Sequence, residues 1–96
     1  MIQQLKTITP AIDLGFGITQ KQVAQGTTVT VWLNTLYNKE AYTFMLLAQG
    51  AAVTKISNYQ YLLVYNTPGI YLVSLNVNST DKTISIASNI LNITVT

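Results

Sequence analysis

The chain has no cysteine and no histidine, and its five basic residues are all lysine: Lys6, Lys21, Lys39, Lys55 and Lys82. Its acids are Asp13, Glu40 and Asp81 alone. Without cysteine or histidine there is no zinc ligand set, and the usual partners of a nucleophile-base pair are missing. Three acids in three separate loops supply neither the oxygen cage of a calcium site nor the paired carboxylates of a glycosidase. Catalysis is therefore not expected, and no metal or cofactor is expected. The absence of cysteine also excludes disulfides, which fits a protein made and assembled in a reducing cytoplasm.

Charge is scarce as well, at 8% of residues against about a quarter in an ordinary soluble domain. The lysines are scattered and arginine is absent, so there is no clustered basic patch for nucleic acid. Long apolar runs are missing too. The longest, AYTFMLLA at 41–48, falls far short of the ~20 residues that span a bilayer. MIQQLKTITP lacks the apolar centre of a signal peptide, so an intracellular product with no membrane partner is expected.

What is present is strand material. Hydrophobic residues make up 49% of the 96, and Thr, Asn, Gln and Ser carry the polarity. That is one domain, able to bury roughly 60–65% of its unfolded surface without covalent staples. Residues 1–17 are apolar but irregular, with Thr7, Thr9 and Pro10 opposing a helix. They are predicted to form an extended arm or edge strand. Gly15-Phe16-Gly17 is predicted to be a flexible corner; nothing after it continues a nucleotide loop. The sandwich proper is predicted over 18–96.

From residue 18 turn chemistry recurs about every ten residues. ITQKQVA is a short strand. TTVTVWLN (27–34) alternates, with Val29, Val31 and Leu33 on one face and Trp32 on the other. AYTFMLLA is apolar on both faces, which predicts a central strand or one whose outer face meets something. AAVTKI (51–56) and YQYLLVY (59–65) follow, then a Thr67-Pro68-Gly69 corner of type II chemistry. IYLVSLNVN (70–78) alternates cleanly. In the last stretch Ile84 and Ile86 have one parity and Leu91, Ile93 and Val95 the other, which predicts a bulge or break near Ser88-Asn89. Seven or eight such strands predict an all-β antiparallel sandwich.

The segment Tyr65-x-x-Pro68-Gly69-x-Tyr71-x-Val73-x-Leu75-x-Val77 resembles the C-terminal signature of PKD-like domains and their immunoglobulin-like relatives. In those families a tyrosine near the start of strand F bonds back to the backbone at the preceding corner, and Tyr71 holds that place. The acidic segment that PKD domains carry after strand C is absent from AYTFMLLAQGAAV. The resemblance therefore sits at the level of an immunoglobulin-like sandwich. It implies a non-enzymatic structural protein, of the kind that decorates bacteriophage capsids as an auxiliary capsid protein or serves as a tail accessory. Its expected partners are capsid or other virion proteins, in a multi-copy or homo-oligomeric arrangement, and its expected location is the virion.

Two groups of residues are candidate contacts. Ile2, Leu5, Ile8, Ile12, Leu14 and Phe16 would make the arm costly to leave exposed, at roughly 25 cal/mol per Å² of apolar area. They are read as partner-binding, by strand addition to a sheet edge. Trp32 with Tyr59, Tyr61 and Tyr65 is an aromatic set for the alternative function, a carbohydrate- or cell-surface-binding module of a fibre or adhesin. The three tyrosines share one parity, and packing of a sheet face is the competing reading. Pro68, Gly69 and Tyr71 are read as structural. Asn78-Ser79-Thr80 and Asn92-Ile93-Thr94 match the glycosylation acceptor pattern, read here as chance in a chain rich in Asn and Thr.

Overall fold

The computed structural model describes residues 9–35, 37 and 41–96, and all structural statements refer to these. They are all-β, with no helix. The strands are β1 (Ile12–Asp13), β2 (Gln20–Val23), β3 (Thr28–Leu33), β4 (Tyr42–Leu47), β5 (Ala52–Ser57), β6 (Gln60–Val64), β7 (Gly69–Ser79), β8 (Ser85–Ala87) and β9 (Leu91–Val95). One sheet runs β1-β3-β6-β5. The second runs β2-β9-β7-β4, with β8 alongside β7 beyond the end of β9. Neighbours are antiparallel except β2 and β9, which run parallel. No helix among the described residues is long and apolar enough to cross a membrane.

Alternation decides which side of each strand is buried. Val29, Val31 and Leu33 of β3 face inward with Tyr61 and Leu63 of β6. From the second sheet come Val73, Leu75 and Val77 of β7 and Leu91, Ile93 and Val95 of β9. All lie in one core shared by the two sheets, a β-sandwich-like arrangement.

The parity switch near Ser88 is a break between β8 and β9. Val77 faces Ile86 and Val73 faces Leu91, so the β8–β9 side holds one residue more than β7. Ser88 closes the gap. Its N–H donates to the Leu75 carbonyl at 2.8 Å, and its hydroxyl accepts the Leu75 N–H at 2.8 Å. Asn89, next along, reaches the other sheet. Its Oδ1 accepts the Ile12 N–H at 2.8 Å and its Nδ2 donates to the Ile12 carbonyl at 2.9 Å. A single amide thus acts as a strand partner for β1.

Of residues 1–17, read as an extended arm or edge strand, Ile12–Asp13 form β1 at the edge of the first sheet, and Ile12 and Leu14 are buried in the core of the chain itself. Ile2, Leu5 and Ile8 lie outside the described residues. Two expectations are corrected. The Gly15–Gly17 corner is fastened, not loose: Asp13 accepts the N–H of Gly15 at 3.0 Å and of Gly17 at 2.9 Å, and Leu14 N–H donates to the Ile18 carbonyl at 2.7 Å. Gly69 is not the third residue of a type II turn, because its φ is +157° and it already pairs with Val95 as the first residue of β7.

Candidate functional site

The expected aromatic set comes apart on the two sides of the first sheet. Tyr61 and Tyr65 point into the core and are almost fully buried, so they cannot belong to a surface platform. Burial pushes both hydroxyls above the usual tyrosine range; Tyr71 adds a smaller contribution at Tyr65. Tyr59 is half-buried in an aromatic cluster with Phe44, Tyr37 and Tyr42. Its hydroxyl donates to the Tyr37 carbonyl at 2.9 Å. Trp32 alone faces outward, 40% exposed.

At the corner, Tyr71 Oη donates to the Thr67 carbonyl at 2.6 Å, and its ring stacks on Tyr65 with centroids 4.2 Å apart. Gly50 of the β4–β5 turn lies against the same ring: a Cβ there would stand 2.7 Å from Tyr71 Cε1. Pro68 is exposed beside it. These residues hold the scaffold together and offer no chemistry.

Two surfaces remain. The first is the outer face of the second sheet. Outward on β7 are Ile70 and Leu72, 72% and 57% exposed, and on neighbouring β4 Met45 and Leu47, 56% and 43% exposed. Leu47 sits opposite Ser74 and Met45 opposite Asn76, with Asn92 and Thr94 of β9 across from Leu72 and Ile70. Gln20 and Gln22 complete the row on β2. The described strand residues on this face carry no charge; Lys21 and Lys82 stand at its margins. Thr43, Met45 and Leu47 are the second apolar side of AYTFMLLA, which the sequence already marked.

The second surface is the corner around Phe16. The ring is fully exposed at the tip of the Asp13-capped turn, beside a cleft shared with Trp32 and Asn34. The sequence singled out Phe16 as one of the arm's apolar residues and as the middle of the Gly15–Gly17 corner. Its setting depends on Asp13 pairing with Trp32 across β1 and β3, a contact between distant segments that no local pattern reports.

The two described acids, Asp13 and Asp81, are engaged locally. Asp81 Oδ1 accepts the hydroxyls of Ser79 and Thr83 at 2.7 Å each and the Thr83 N–H at 3.0 Å. The Thr83 hydroxyl, then the Ser79 hydroxyl, hold its carboxyl down to about 2. Asp13 ends β1 and Asp81 lies in the β7–β8 loop, and no group of three or more metal-binding side chains comes together among the described residues. Comparison with known protein families and with curated proteins finds no match for this chain.

Proposed function

We propose that this protein is a non-enzymatic structural module with an immunoglobulin-like sandwich, whose work is to dock on a larger protein assembly. The orders β1-β3-β6-β5 and β2-β9-β7-β4 match the A-B-E-D and A′-G-F-C sheets of that fold, and the Tyr71 bond to Thr67 matches its corner. A virion is the setting the family resemblance implies, with the chain as a decoration or tail-accessory protein.

The observation that carries the docking role is the uncharged outer face of the second sheet. Centres of protein interfaces are depleted in charge and bounded by polar rims, and this face has that composition. β7 is eleven residues long. β9 flanks its first half and β4 its second. At ~3.4 Å per residue and ~4.8 Å between strands, the 29 strand residues of β2, β4, β7, β8 and β9 together cover roughly 470 Å² in plan. Covered by a matching surface, that is roughly 1,000 Å² in total, the lower end of specific interfaces. A partner with a flat, uncharged apolar surface fits it, and many weak copies on a repeating shell suit a patch of this size.

Purified particles provide the test. The wild-type chain is expected to co-sediment with them, and the Leu47→Lys, Leu72→Lys double variant is expected to stay in the supernatant with an unchanged far-UV spectrum. Equal retention of the two, or absence of the chain from particles, would sink the proposal. A shift of the free chain to dimers that the double variant abolishes would instead assign the face to a second copy and overturn docking on a partner.

A further inference from the structure

Phe16 has no structural reason to be where it is. Its ring is fully exposed and adds nothing to the core, and its φ is +53°, in the left-handed region that bulky residues rarely occupy. Gly15 and Gly17 on either side have φ of +106° and +78°. Three successive residues in this region are held there by the Asp13 carboxylate and by the Leu14 and Ile18 backbone bonds that close the turn. A glycine at position 16 would adopt the same backbone with less strain. The chain keeps an aromatic ring there against its own stability, which is the pattern of a residue retained for contact with something else.

The neighbours say what that something is. A cleft of about 310 Å³ runs beside the ring, lined by Asp13, Gly15, Phe16, Trp32 and Asn34. Neither the indole N–H of Trp32 nor the side-chain amide of Asn34 has a hydrogen-bond partner among the described residues. Each Asp13 oxygen accepts one backbone N–H and keeps a further acceptor site. Two exposed aromatic side chains that share a cleft with neutral donors and a carboxylate suit a pyranose. Its C–H face stacks on a ring while its hydroxyls bond the carboxylate and the amide. The volume is at the small end of ligand pockets and takes a terminal sugar unit, not a buried chain. Asp13 and Asn34 share the cleft with the two rings and supply the polar contacts a sugar needs.

The geometry points to a carbohydrate-binding site at the Phe16–Trp32 corner, selective for a neutral pyranose because the Asp13 carboxylate repels an acidic one. It is separate from the docking face and stands or falls independently of it.

Trp32 is the single tryptophan of the chain, so its fluorescence reports this cleft alone. The intact protein is titrated with glucose, galactose, mannose, N-acetylglucosamine and glucuronic acid. At least one neutral sugar is expected to change the emission saturably, and glucuronic acid to bind more weakly. Phe16→Gly is expected to weaken binding about tenfold while leaving Tm unchanged or raised, since the ring is exposed and the strain is relieved. Asn34→Ala, which touches none of the turn's own bonds, is expected to weaken it too. No saturable change with any sugar, full affinity in Phe16→Gly, or preference for glucuronic acid would each overturn the assignment.

Discussion

Tyr65 and Tyr71 stack on each other, yet their hydroxyls have opposite fates. Tyr71 donates to Thr67, while Tyr65 Oη is buried with no partner among the described residues. Tyr71→Phe is therefore expected to lower stability by about 1 kcal/mol, and Tyr65→Phe to be neutral or to raise it by up to about 1 kcal/mol. Urea midpoints at constant m-value check both. Gly50→Ala combines a φ of +90° with a Cβ driven into the Tyr71 ring, and about 2 kcal/mol of destabilisation is expected by the same assay. The Asp81 carboxyl titrates at about 2 in the folded chain and near 3.8 when free. A depressed acid contributes stability that is fully present above its unfolded value. That contribution is lost as pH falls from about 4 to about 2, so the β7–β8 loop is expected to loosen in that window. Amide exchange at Thr83 and Ile84, followed against pH, reads it directly. Tyr61 and Tyr65, with raised values, act at the other end: their contribution is present below the free-tyrosine value of 10.0 and is lost as pH rises above it.

At the level of elements, β3, β7 and the break before β9 were legible because each is written in local parity, and the core uses that parity. β1 was not legible. Two residues carry no period, and what keeps them in place is Asn89, distant in sequence and unremarkable as a residue type. Asn89→Ala removes both partners of Ile12 on that side and is expected to cost about 2 kcal/mol, with faster hydrogen exchange at Ile12 before the rest of the sheet. The type II reading of Pro68-Gly69 failed for a related reason: pairing with Val95 claims Gly69 for the ladder, and tertiary pairing outranks turn preference. β5 shows how an edge is kept to itself. Its six residues are exposed, Lys55 shares the inward side of Tyr61, and the register breaks between Lys55 and Ser57. An inward charge and a bulge both discourage strand addition. Lys55→Val is expected to promote association in light scattering without loss of fold.

For the whole molecule, parity told which residues share a face but not which face is covered. Tyr59, Tyr61 and Tyr65 do share one, and it is the side packed between the sheets. The apolar outer side of β4 was visible in AYTFMLLA, but its continuation through Leu72 and Ile70 required the β4–β7 register. The Gly15–Gly17 corner was legible in the sequence, but its cleft was hidden because it forms only once Asp13 lies beside Trp32.

The parallel pairing of β2 and β9 has a mechanical consequence. The two strands lie side by side and point the same way, with Asn92 N–H bonded to the Thr19 carbonyl at one end and Thr96 N–H to the Val23 carbonyl at the other. Tension drawn between the start of the chain and its end, once the short β1 has yielded, slides these strands past each other. It does not peel them apart one bond at a time. The bonds of the ladder then carry the load together, and pulling at the termini should meet a higher rupture force than pulling on the β7–β8 hairpin. A module anchored at one end and tugged at the other is braced along the direction in which it would be stressed.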